Sequence, residues 1–266
     1  MVKTTVDCVD KFNACTGYHQ SDEISLVFPA ANILEDDTKV KLDKDSDIPS
    51  KEKKLKIMKN HIYNGRFQKL ASVVASYAAV RLNFYLMNED FSDLQPEVSE
   101  RMKAHVAFFD GRVIPCSTPA SVMETLYWRS NFDGLRNAIS HIAQHYFTFK
   151  ILQGKSILKQ YEYLLEQKKI DLFDAYSSEF LYGTWVKKQK FLLPNPINHK
   201  TGEKIETPVW RTRYVKNSFN WADWCEEDRS IFTLTKFWPE KNEIQELELD
   251  PPMYFPAKNL DGTWCS

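Results

Sequence analysis

Asp22 and Glu23 stand side by side where a polar turn meets a strand, in the stretch Gly17-Tyr18-His19-Gln20-Ser21-Asp22-Glu23-Ile24-Ser25-Leu26-Val27-Phe28. Ile24, Leu26 and Phe28 alternate with Ser25, the period-2 pattern of a strand with one buried face. A sheet, rather than a loose loop, then holds both carboxylates at the mouth of a short hairpin. Carboxylates so held suit work with a divalent cation. Mg²⁺ takes oxygen ligands, commonly one or two carboxylates plus the phosphates of a nucleotide. The same letters also build ordinary turns, so the pair needs support from elsewhere in the chain.

Two other groupings have spacing that bears on chemistry. His141 and His145 lie one helical turn apart, a metal-binding spacing, but no Glu stands at the required place between them and no third ligand is in view. Packing and hydrogen bonding is the plainer reading. Between Lys187 and Lys216 there are eight basic residues (Lys187, Lys188, Lys190, Lys200, Lys204, Arg211, Arg213, Lys216) against Glu203 and Glu206, with Trp210 and Tyr214 interleaved. This is either an RNA-contact strip or a plain exposed hairpin.

The chain that must position these groups has 266 residues, enough for one large domain or two small ones with a substantial core. With 43% hydrophobic and 27% charged residues and a net charge of −1, it has a globular composition and is no polycation. Nucleic-acid contact would therefore fall to a local patch. Met1-Val2-Lys3-Thr4-Thr5 does not open a signal peptide. The longest apolar run, Leu70 to Val80, is broken by serines and closed by Arg81, so no membrane partner is expected. The five cysteines are scattered without a C-x-x-C pair, which indicates a reducing, cytoplasmic setting.

Periodicity predicts a short amphipathic helix over residues 2–14, with Val2, Val6, Val9 and Phe12 on one face, followed by the hairpin. Residues 35–60, rich in Asp and Lys, read as an exposed insertion with a helix starting near Lys51. A long helix follows from Arg66 to Met87, then a strand from Val106 to Ile114 interrupted by Asp110-Gly111. Helices are expected at Ala120–Trp128, capped by Ser117 or Thr118 with Pro119 in the first turn, at Leu135–Phe149 and at Ser156–Gln167. Gly183 to Lys187 reads as a strand start, and Leu192–Pro196 with Val209–Val215 as a hairpin around His199-Lys200-Thr201-Gly202. Six of the seven tryptophans fall in the last third, whose aromatics read as core and interface rather than as a base-stacking platform; from Ser218 on, an irregular tail is expected. Helix, hairpin, helix and strand make an α+β fold, three-quarters of a split βαβ (ferredoxin-like) unit. Two units are expected, residues 1–130 and 131–266.

Several blocks now fall in one order: Gln20-Ser21-Asp22-Glu23, Asn64-Gly65-Arg66-Phe67-Gln68-Lys69, Phe109-Asp110-Gly111-Arg112, Trp128-Arg129, Arg136-Asn137-Ala138-Ile139-Ser140, Leu152-Gln153-Gly154-Lys155-Ser156 and Gly183-Thr184. Over roughly residues 1–190 the set resembles the tRNA-His guanylyltransferase family, especially its wider branch of tRNA-repair enzymes that add nucleotides in the 3′-to-5′ direction. The resemblance implies a palm-like sheet, two Mg²⁺ ions, ATP or GTP as substrates, a tRNA partner and a homo-oligomer. It implies that Asp22 binds metal beside its acidic neighbour Glu23, and that Ser21 lies near the triphosphate. Arg66 and Lys69 match residues that contact triphosphate, and an Arg and a Lys one turn apart can clamp phosphate oxygens. Arg136 and Asn137 fall in a block used near substrate, although Arg136 is equally placed to pair with Asp133.

Two departures qualify the match. The His-Ile-Asn-Asn block of the guanylyltransferases proper is replaced by Gly134-Leu135-Arg136-Asn137, which favours the repair branch. The family's first strand, ending in Asp-Gly and carrying the second metal carboxylate, has no match, and Asp110-Gly111 matches a later strand. The expectation is half of a two-metal site, in an active enzyme or in a catalytically incomplete protein that keeps nucleotide and RNA binding.

Overall fold

In a computed structural model of the chain, the described residues are 1–29, 33–34, 57–58, 61–198, 201–239 and 253–254. The elements, in chain order, are α1 (Val2–Phe12), β1 (Thr16–Gln20), β2 (Glu23–Val27), β3 (Ile33–Leu34), β4 (Ile57–Met58), α2 (Phe67–Asn88), α3 (Pro96–Lys103), α4 (Pro119–Tyr127), α5 (Leu135–Tyr146), α6 (Phe149–Leu152), α7 (Ile157–Tyr163), α8 (Leu172–Ala175), α9 (Ser178–Tyr182), β5 (Thr184–Leu193), β6 (Val209–Asn217), α10 (Glu226–Leu234) and β7 (Met253–Tyr254). A π-helical stretch, Trp128–Gly134, joins α4 to α5. The class is α+β, as the sequence pattern predicts.

The main sheet runs β2-β1-β5-β6-β7, antiparallel throughout, while β3 and β4 form a separate small pair. Alternation along β1 sorts its two faces. Gly17 faces α1, where a Cβ would lie 2.6 Å from Val9 Cγ2, so glycine is needed for the helix to sit this close. Under α1 lie Val6, Val9, Ala14 and Val186, and beyond them Cys8, Phe12 and Ala78 join α1 to α2. Tyr18 faces the other way into an aromatic core of Trp185, Phe219, Trp221, Trp224, Phe232 and Trp238. Trp185 and Trp221 stack with centroids 4.4 Å apart. A third cluster, built on Ile139, Ile142, Leu164 and Leu181, binds α5, α7 and α9.

The hairpin, α1 and α2 lie where the periodicity puts them, and Thr118 caps α4 through a box with Ser121. α2, at 22 residues, is long and apolar enough by length and composition to cross a bilayer, more than the short run read from sequence. Its Arg81, however, is tied to the buried Asp7 of α1 at 2.5 Å, with Tyr85 donating to the same carboxylate at 2.6 Å.

Four expectations are corrected. Residues 106–114 join no ladder among the described residues; Ala107 bonds the Asn83 side chain instead, and Phe109 packs near Phe12. A division at residue 130 runs through the π-helical stretch, and strands from both sides of it share one sheet. The strand start at Gly183–Lys187 and the segment from Leu192 belong to one strand, β5, which ends at Leu193. The tail contains α10, opened by Cys225 as cap and three acidic residues, Glu226, Glu227 and Asp228, at the positive end of the helix. Most of the insertion at 35–60, including the helix start near Lys51, and the turn residues His199 and Lys200 lie outside the described residues.

Candidate functional site

The turn of the β1–β2 hairpin is Ser21-Asp22, closed by the pair Gln20↔Glu23. Ser21 has φ of +52°. Positive φ at the first central position is the II′ pattern, where glycine normally stands. Such a backbone conformation is uncommon for a residue other than glycine.

Facing the turn are the π-helical stretch and the first turn of α5. Together they enclose a polar cavity of about 460 Å³ whose lining includes Ser21, Asp22, Glu23, Arg129, Arg136 and Asn137. That volume is in the range of small-molecule sites. Gly134 permits the approach: a Cβ there would lie 3.0 Å from the Arg129 carbonyl oxygen and 3.2 Å from Gln20 Cδ. Tyr18 lies at the base and donates to the Tyr182 carbonyl at 2.9 Å; burial pushes its pKa up, so the phenol stays neutral.

A chain of charges crosses the cavity. Glu23 pairs with Arg129. Arg129 Nη1 reaches Asp133 Oδ2 at 2.5 Å, and Arg136 Nη2 reaches Asp133 Oδ1 at 2.6 Å. The Asp133 side chain is only 9% exposed, so it acts as a fixed anionic post between two guanidinium groups. Arg136 is 57% exposed and leaves further N–H donors open to the cavity. The arrangement can present cationic donors, an amide from Asn137 and hydroxyls to a phosphate-bearing ligand.

Asp22 is exposed and makes no hydrogen bond or ion pair among the described residues. Its carboxylate suits one Mg²⁺ arriving with a nucleotide's phosphates. The two-ion arrangement implied by the resemblance does not fit: Glu23 is engaged by Arg129, and no group of three metal-binding side chains occurs among the described residues, His141 and His145 included.

The structure thus brings together Ser21, Asp22, Glu23, Arg136 and Asn137. The pairing of Arg136 with Asp133, weighed as an alternative, is present. Arg66 and Lys69 do not line the cavity. They flank the start of α2 after three successive left-handed residues, Tyr63, Asn64 and Gly65, with Lys69 lying 5.2 Å over the Tyr63 ring. The basic strip is not one surface. Lys187, read as an RNA contact, is fully buried with Nζ bonded to four oxygen atoms. Lys188 lies 3.5 Å from Asp10, Arg213 donates to Gln189 at 2.9 Å, and Arg211 is exposed.

Sequence reasoning missed the roles of Arg129 and Asp133, although their i, i+4 spacing on a helix was a usable signal. Replacing Arg129 with Met is expected to cost about 2 kcal/mol of stability, because it leaves Asp133 with one partner in a largely buried place. Urea unfolding checks this; an unchanged midpoint and slope would show that Arg136 alone satisfies the post.

A family model described as tRNAHis guanylyltransferase (Thg1) matches residues 1–117. The chain is 32% identical over 258 residues to uncharacterized protein R259 of Acanthamoeba polyphaga mimivirus, covering 94% of this chain and 77% of that one. Among solved structures, a bacterial tRNA(His) guanylyltransferase-like protein in complex with ATP is 25% identical with a TM-score of 0.48, over 69% of this chain. The chain spans 65% of the length of that protein. A bacterial protein of the same description in complex with GTP is 19% identical, with a TM-score of 0.42, over 79% of this chain and 67% of its own. Over residues 1–117, where the family model matches, the chain belongs to the tRNA-His guanylyltransferase family.

Proposed function

We propose that this chain is a nucleotidyltransferase that binds ATP or GTP between the hairpin turn and α5 and adds a nucleotide to the 5′ end of a tRNA, in the 3′-to-5′ direction. One observation carries this reading: Ser21, Asp22 and Glu23 from the hairpin meet Arg136 and Asn137 from a distant helix around one polar cavity. Phosphoryl transfer asks little covalent chemistry of a protein; it needs positioned charge and aligned groups. Arg136 supplies donors for phosphate oxygens. Asp133 and Arg129 fix the direction of that guanidinium. Asn137 carries both a donor and an acceptor and can orient a base or sugar. Asp22 would hold a Mg²⁺ that neutralises phosphate charge. Arg66 and Lys69, beside the uncapped start of α2, suit phosphate contact at a place separate from the cavity lining.

A second reading rests on the engagement of Glu23 by Arg129, which leaves Asp22 as the turn carboxylate that pairs with nothing among the described residues: a protein that binds nucleotide and RNA without turnover. One experiment separates the two. The 266-residue protein is incubated with Mg²⁺, ATP, GTP and a tRNA lacking its 5′ nucleotide, and products are resolved on a denaturing gel, while ATP binding is measured by calorimetry. Extension at the 5′ end supports the transferase. ATP binding without extension supports the second reading, and absence of both overturns each.

A further inference from the structure

The outer half of the β5–β6 ladder stands clear of the cores. β5 is buried from Thr184 to Lys187, and becomes exposed at Lys190 and Leu192. Trp210, directly opposite Leu192, is 63% exposed, whereas Trp185, Trp221, Trp224 and Trp238 are buried. Alternation places Lys190, Leu192, Trp210 and Thr212 on one face of the ladder, with Arg211 and Arg213 on the other.

Charge is sorted along the same hairpin. Toward the body every cation is spent: Lys187 is buried, Lys188 meets Asp10, and Lys216 meets Glu179 at 3.2 Å. Toward the tip, Arg211 and Lys204 make no ion pair among the described residues, and Lys190 lies 4.5 Å over the Phe237 ring rather than on an acid. Glu203 and Glu206 are the acidic residues of this end.

We infer that the hairpin tip binds single-stranded RNA, with Trp210 as a base-stacking platform and Lys190, Lys204 and Arg211 on its phosphates. This rests on the reading of tRNA as the partner. An exposed indole flanked by cations that meet no acid among the described residues meets the two needs of an unpaired strand, a π-face for a base and positive charge for the backbone. A duplex offers its phosphates but keeps its bases stacked away from the indole. An acidic protein is the other occupant such charge would attract; it gives the indole no base to stack on.

The test is fluorescence anisotropy of the full chain with a labelled 12-nucleotide single-stranded RNA at several salt concentrations. Trp210→Ala is expected to weaken binding roughly ten- to hundredfold, and Trp210→Phe to restore most of it. Arg211→Gln should lower the slope of log affinity against log salt by about 0.7. Binding by Trp210→Ala within twofold of wild type overturns the inference, as does a duplex that binds as tightly as the single strand, or a wild type that binds no RNA. Both positions are exposed, so each variant should melt with the wild type. If Trp210→Ala alone melts early, Arg211→Gln decides. Turnover is not needed for the readout. Trp210-dependent binding without 5′ addition overturns the transferase and leaves this inference; 5′ addition with Trp210-independent binding does the reverse.

Discussion

Lys187→Met is expected to cost about 3–5 kcal/mol of stability, as much as a small protein's whole margin. Lys187 Nζ lies within hydrogen-bond distance of the carbonyl oxygens of Cys15 at 3.1 Å, Phe232 at 2.6 Å and Thr235 at 2.6 Å, and of Thr16 Oγ1 at 2.6 Å, which share its N–H donors. Two of these acceptors stand at the entrance to β1, and two at the C-terminal end of α10, where a positive charge is favoured by the helix dipole. Methionine fills much of the volume but donates nothing. Each buried acceptor left unmet costs about 1–3 kcal/mol, and relaxation around the site recovers part of the sum. Thermal unfolding should shift by about 10 °C. A shift under 2 °C would show that these oxygens find other donors.

A pH series adds an independent reading. Burial pulls the Lys187 pKa down to about 7, against about 10.4 for lysine in the unfolded chain. Between these values the unfolded chain carries the proton and the folded chain does not. Stability contributed through this group therefore rises as pH rises from 7 toward 10. The Met variant should lack that rise.

The second large effect concerns the proposed transfer reaction. Asp22→Asn keeps the shape of the turn residue and removes its charge, and is expected to slow 5′ nucleotide addition about 100-fold or more, in line with the loss of one preorganised electrostatic contact at reacting phosphates. Folding should be unaffected, since Asp22 is exposed and bonds to nothing else among the described residues. Glu23→Gln makes the contrast. It breaks an ion pair with Arg129 and should act mainly on the geometry of the cavity wall. Equal rates for Asp22→Asn and wild type in the gel assay would remove Asp22 from the site.

How far the letters could be read depends on where the deciding partner lies. The β1–β2 hairpin was legible because alternation, turn residues and pairing are all local to residues 16–27. α1 was legible from its apolar stripe, and α2 from a long run of apolar and helix-forming residues. Residues 106–114 carry two apolar runs around Asp110-Gly111-Arg112, yet a ladder needs a neighbour, and nothing in the segment specifies one. Lys187 read as one cation in a basic run. Its burial follows from carbonyl groups on α10, and that helix was itself hidden among prolines and tryptophans. At the site, the hairpin half and the Arg136-Asn137 half were each visible. The post that joins them, Asp133 between two arginines, appeared only as a possible local pair.

The π-helical stretch Trp128–Gly134 has a consequence for how relatives should be compared. A π turn carries about one residue more than an α turn, so it takes up an extra residue that in an α-helix would rotate everything after it by about 100° about the axis. Arg129 lies inside that stretch, and Arg136 and Asn137 follow it. A homologue with an uninterrupted α-helix here would present different letters to the same cavity. Matching such chains column by column would pair residues that never occupy equivalent places. The useful alignment across this segment is angular: it asks which side chains face the hairpin turn, whatever their position in the count.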